Sequence, residues 1–130
     1  MATATDGYRI DIAPHGKGLR ARIAGEADVE ATQAYWREIA KAARERAADS
    51  LLLVDELGGR SLDESDWLSV VTSLQGEGLE RLRIAHVKPQ GLQQVEFCEI
   101  FARDAGIEAR VFENETLADI WLRYGERPLP

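Results

Sequence analysis

The chain has 130 residues and a formal net charge of -7, from 16 Lys and Arg against 23 Asp and Glu. That length suits one domain, expected over residues 1–130 with a core at about 8–124, which buries roughly two-thirds of its unfolded surface. A hydrophobic share of 45% beside 30% charged residues is that of an ordinary soluble globular protein. The acidic excess sets aside nucleic acid and anionic membrane as main partners, because phosphate binding needs a basic face.

The opening MATATDGY carries neither the basic nor the apolar region of a secretory leader. Tyr8, Ile10 and Ile12 alternate with Arg9, Asp11 and Ala13, which predicts a half-buried strand. Pro14-His15-Gly16-Lys17-Gly18 is turn chemistry, and Leu19, Ala21 and Ile23 resume the alternation, so the two runs read as a hairpin. Asp28 is the expected N-cap of a long helix whose Val29, Thr32, Trp36, Ile39, Ala40, Ala43 and Ala47 share one face. Leu51-Leu52-Leu53-Val54 is apolar on both parities, as in a strand covered on both faces of a parallel sheet. It is far shorter than the roughly 20 residues of a membrane span, so no integral membrane association and a cytoplasmic location are expected. Gly58-Gly59 ends that strand. Ser61-Leu62-Asp63-Glu64 then opens a second helix carrying Trp67, Val70, Val71 and Leu74. Leu82, Ile84 and Val87 make the next strand, stopped by Pro89. A third helix turns Leu92, Val95, Cys98, Phe101 and Ala105 inward and ends at Gly106. Ala109 to Phe112 is a short strand, and Asn114 caps a last helix carrying Leu117, Ile120, Trp121 and Tyr124. The expected order is β-β-α-β-α-β-α-β-α, an α/β fold with a mixed, mainly parallel sheet and an antiparallel N-terminal hairpin.

Few residues carry a chemical signature. Gly16-Lys17-Gly18-Leu19-Arg20-Ala21 spells G-x-G-x-x-A, but a strand follows where a dinucleotide site needs a helix, so the glycines are assigned to the hairpin turn. Ser61 and Glu64 have the S-x-x-E spacing of a capping box, and Asp63 in the first turn suits the helix dipole. The same hydroxyl-bearing, acidic helix start is a candidate switch or partner-binding face comprising Ser61, Asp63, Glu64, Ser65 and Trp67. Asp55, Glu56, His86 and Glu113 fall at or just past the carboxyl ends of predicted parallel strands, where α/β proteins gather ligands. They are ligand candidates, with a metal-assisted enzyme using His86, Asp55 and Glu113 as the alternative. No metal-binding spacing supports that alternative, and no cofactor and no catalytic residue is assigned. The single cysteine, Cys98, excludes a disulfide framework and reads as core. Trp36, Trp67 and Trp121 lie in apolar stripes and read first as core, with one aromatic among them and Tyr35 as the alternative candidate for a surface interface anchor. Arg37, Lys41 and Arg44 read as a solvated face.

Over residues 8–124 the chain resembles the STAS domain, and more closely the small stand-alone SpoIIAA-like proteins of bacteria. The phrases that carry the resemblance are Leu51-Leu52-Leu53-Val54-Asp55, Arg83-Ile84-Ala85, and Arg110-Val111-Phe112-Glu113-Asn114-Glu115 with Ala118 and Trp121-Leu122. It implies a (βα) superhelix with sequential strands, and a non-enzymatic regulatory domain acting on a protein partner. Such domains switch by phosphorylation of a serine in a D-S-S-G phrase, which maps here onto Asp63-Glu64-Ser65-Asp66. Asp63 and Ser65 match; Glu64 stands at the acceptor position and Asp66 at the glycine. A glutamate is not a phosphate acceptor, so the resemblance implies the domain without its phosphoserine switch, Glu64 being a permanent charge. A small-molecule or lipid carrier is the alternative function, and a homodimer the alternative partner.

Overall fold

The computed structural model describes residues 2–5, 8–26, 28–58, 62–88 and 96–124, with residues 2–5 and 96–98 as backbone only. Six strands form one sheet in chain order: β1 (Ala2–Thr5), β2 (Tyr8–His15), β3 (Gly18–Glu26), β4 (Ser50–Gly58), β5 (Arg83–Val87) and β6 (Glu108–Phe112). The first three are antiparallel, and β3 to β6 run parallel. Three crossovers carry α1 (Val29–Arg46), α2 (Glu64–Ser73) and α3 (Glu96–Asp104), while α4 (Glu115–Tyr124) follows β6. The expected mixed, mainly parallel α/β sheet with its antiparallel hairpin is what forms. β1 is an addition to it: alanine and threonine give no apolar alternation, and pairing with β2 defines the strand. Among the described strands the sequential order leaves no reversal point of the kind at which open α/β sheets place a crevice.

The hairpin explains both glycines of the G-x-G phrase. Gly16 turns the chain at φ 61°, in the left-handed region where side chains are strained. A Cβ on Gly18 would collide with the hydroxyl and backbone of Ser50 on the neighbouring strand.

The two faces of the sheet are covered unequally. Ile10, Ala21, Ile23, Leu51, Leu53, Leu57 and Ile84 form one apolar layer with Tyr35, Trp36 and Ile39 of α1, Trp67, Val70 and Leu74 at α2, and Ala102 of α3. Leu52, Ala85 and Val87 point the other way, onto Ala118 and Trp121 of α4. Both parities of β4 are therefore buried, which is why its sequence is continuously apolar. Among the described residues α4 is the single helix on this second face, and β2 and β3 leave Arg9, Asp11 and Arg22 to solvent.

Trp36, Trp67 and Trp121 are buried in the core, as their apolar stripes lead one to expect, and Tyr35 is buried with them, so none of these aromatics is an exposed anchor. On α4, Leu117, Ile120 and Tyr124 are about half exposed. Among the described residues no second helix covers the flanks of α4, and Ala118 and Trp121 are the ones buried along it. Cys98, with Leu92 and Val95, lies outside the residues whose side chains are described.

Candidate functional site

The carboxyl halves of β4 and β5 bring three ionisable groups together under α1 and α2. Parallel pairing sets Leu53 beside His86 and Val54 beside Val87, so the next step along each strand puts Asp55 next to Lys88. Strand alternation then turns Asp55, His86 and Lys88 onto the same face as Leu51, Leu53 and Ile84. All three are buried, with 3%, 2% and 6% of their surface exposed respectively. His86 Nε2 lies 2.7 Å from Asp55 Oδ2. Asp55 Oδ1 accepts from the Lys88 ammonium at 3.1 Å and from the Leu57 N–H at 3.0 Å. Lys88 also donates to the Leu57 carbonyl at 2.7 Å. The edges of Trp36 and Trp67 close over the imidazole, with ring centroids 6.3 and 6.5 Å away.

Burial pushes the Asp55 carboxyl up, since a charge loses its hydration there. The His86 hydrogen bond, the attraction of the Lys88 ammonium and the Leu57 N–H outweigh that penalty and hold it below its ordinary value. Asp55 is thus a carboxylate, an acceptor with no hydrogen to give. The hydrogen-bond pattern therefore assigns the imidazole hydrogen facing it to Nε2. Lys88 balances the carboxylate, so an uncharged imidazole leaves the trio without net charge, the cheapest state for a dry site. An ammonium in contact with the carboxylate also opposes a metal cation there. Among the described residues no group of three or more His, Cys, Asp or Glu could hold a metal ion.

The other two ligand candidates are elsewhere. Glu56, next along β4, points to the opposite face and takes two hydrogen bonds from the Arg22 guanidinium at 2.6 and 3.0 Å. Those bonds hold its carboxyl below the usual range despite slight desolvation. Glu113 is exposed beyond the end of β6, outside the buried trio. Lys88 was absent from the sequence-based set because Pro89 ended the predicted strand at Val87. Continuing the alternation Ile84, His86, Lys88 would have found it.

At the start of α2 the cap is Asp63, not Ser61. Asp63 Oδ1 accepts from the Asp66 N–H at 2.9 Å, and Asp66 Oδ2 accepts from the Asp63 N–H at 3.2 Å. The capping box is thus Asp63 with Asp66, two residues later than the S-x-x-E spacing placed it, and Ser61 lies outside the described residues. An ionised side chain with two acceptor oxygens satisfies the first-turn amides and the dipole together. The Ser65 hydroxyl donates to Asp63 at 2.9 Å. Glu64 and Ser65 are exposed, while Trp67 turns inward beneath them.

Among the described residues no helix is long and apolar enough to cross a membrane. No family model matches the chain, and no curated protein matches it either. Among solved structures it is similar to an uncharacterized protein from the DUF3478 family of Shewanella loihica PV-4, described as having a SpoIIAA-like fold. The two are 19% identical, the match covers 94% of this chain and 98% of that one, and the TM-score is 0.54. At that identity the likeness is one of fold: this chain has a SpoIIAA-like α/β fold.

Proposed function

We propose that this protein is a non-enzymatic regulatory domain that binds a protein partner through the outward face of α2. The observation that carries this reading is the composition of that face. Glu64, Ser65, Leu68, Ser69 and Thr72 are exposed on it, and Leu68 is 50% exposed directly behind an acidic helix entrance. A large apolar side chain set among small hydroxyls and acids is the pattern of a binding surface centred on one anchor. The acids favour a basic partner, and Glu64 supplies a fixed charge where the resembling family switches by phosphoserine. The buried Asp55–His86 pair supports a structural role over catalysis, since tryptophan edges cover the imidazole. A lipid carrier asks for a cavity of roughly 300 Å³ or more. The cavity beside His86 is about 30 Å³, which favours the protein-binding reading.

Affinity capture from a native extract, comparing wild type with Glu64→Arg and Leu68→Asp, tests this directly. A partner retained by wild type and depleted about tenfold by both variants, each with wild-type circular dichroism, is the expected outcome. Capture that is unchanged in both variants, or no partner with wild type, would place the binding face elsewhere or remove it.

A further inference from the structure

The two edges of the sheet are finished differently. β6 forms one edge, and there α3 supplies partners for the outward backbone. Glu99 accepts from the Val111 N–H at 3.1 Å, and the Arg103 guanidinium donates to the Ala109 carbonyl at 2.9 Å. β1 forms the other edge, with β2 as its strand neighbour. Among the described residues no helix lends β1 side-chain partners of that kind. Its sequence, Ala2-Thr3-Ala4-Thr5, also lacks the charges and proline with which proteins blunt an exposed edge.

The register fixes which β1 groups point outward. The two-residue turn Gly16-Lys17 sets His15 opposite Gly18 as a hydrogen-bonded pair, so Ala13, Asp11 and Arg9 bond to β3 in alternation. Pro14, which has no N–H, falls in the other set, as it must. Tyr8 and Ile10 therefore turn their backbone groups to β1, where Thr5 and Thr3 stand opposite them. That leaves the N–H and C=O of Ala2 and Ala4 pointing away from the sheet.

We propose that this edge pairs antiparallel with β1 of a second copy of this chain, joining two six-stranded sheets into one. A two-fold axis at Thr3 sets Ala2 opposite Ala4 of the partner subunit and Ala4 opposite the partner's Ala2, which uses every outward group. Charge selects the same register. Ala2 stands beside Asp11 and Ala4 beside Arg9, and Asp11 and Arg9 are exposed on the sheet face that α4 covers only in part. Each row across the joint then runs Asp11, Ala2, the partner's Ala4, the partner's Arg9, an acid at one end and a base at the other. Moving the axis to Ala4 would instead put two arginines in one row. β1 itself is uncharged, so the net charge of -7 on each chain is not concentrated at the joint.

Sedimentation velocity of the whole chain from about 10 μM to about 1 mM tests this. The mass should rise from one chain toward two over that range, as befits a small strand-to-strand interface. Ala4→Pro removes one outward N–H from each copy and no bond to β2, so the dimer should weaken about tenfold while circular dichroism stays unchanged. If that variant disturbs β1 itself, the charges give a second route. Arg9→Asp should weaken the dimer about fivefold, and Arg9→Asp with Asp11→Arg should restore it, since every row again joins an acid to a base. Amide exchange reads the register: the Ala4 N–H should exchange more slowly as concentration rises, and that of Thr3 should not change. A single chain at every concentration, a dimer as tight with Ala4→Pro in place, or a double variant no tighter than Arg9→Asp alone would overturn the proposal.

Discussion

Asp55 and Glu56 are consecutive on β4 and face opposite sides of one sheet. Asp55 looks toward α1 and α2, where burial costs it hydration and three partners restore the balance. Glu56 looks toward the side that α4 covers only in part, and meets one guanidinium in water. Both carboxyls sit below their ordinary values, yet the same direction of shift has different physical content. For Asp55 it records the surplus of strong, poorly screened attraction over a large penalty. For Glu56 it records a solvent-screened ion pair of little weight for stability. The charge of a β4 residue thus matters to the fold according to which face the pleat assigns it.

The largest expected effect comes from cutting the buried side of that contrast. Asp55→Ala leaves the Lys88 ammonium buried without its carboxylate, and should destabilise the protein by about 3–5 kcal/mol in urea unfolding. Replacing the whole trio, as Asp55→Leu with His86→Phe and Lys88→Met, should restore most of that loss, because no charge then remains unpaired. A triple variant no more stable than Asp55→Ala would show that the trio itself, not merely its balance, holds the strands.

Acid should separate the two faces next. Because folding depresses the Asp55 carboxyl, its contribution is complete above the ordinary carboxylate value, about pH 4, and is lost as pH falls through the lower folded value. Wild-type unfolding free energy should therefore drop with acid more steeply than that of Asp55→Asn, the gap narrowing below about pH 4. Equal acid slopes would mean that Asp55 is not held as a carboxylate.

Smaller effects follow at the surface. Asp63→Ala removes the acceptor of the α2 capping box and should cost about 1 kcal/mol, whereas Glu64→Ala, exposed at the first helical position, should leave the urea midpoint nearly unchanged. Glu56→Gln should move that midpoint least of all, within the scatter of replicate curves.

The strands and helices could be read because their apolar spacing is local: Ile10 and Ile12, Trp36 and Ile39, Leu51 to Val54. The nearness of Asp55 to His86 was also partly visible, as both close adjacent parallel strands. What hid the rest was long-range. Lys88 follows a predicted strand end, and only the register of β4 against β5 places it beside Asp55. Trp67 could be assigned to a helix but not to a depth, since α2 is rotated by what packs beneath it. The exposure of Leu117, Ile120 and Tyr124 depends on α4 having no neighbouring helix among the described residues, which periodicity within α4 does not encode.

The central claim is that the buried trio is charge-balanced, with an uncharged His86 donating through Nε2 and a bare Nδ1 turned away from Asp55. Nitrogen-15 NMR of the His86 ring at neutral pH measures this directly. A single ring hydrogen on Nε2, with Nδ1 unprotonated, is the predicted result. A hydrogen found on Nδ1, alone or together with one on Nε2, would contradict it.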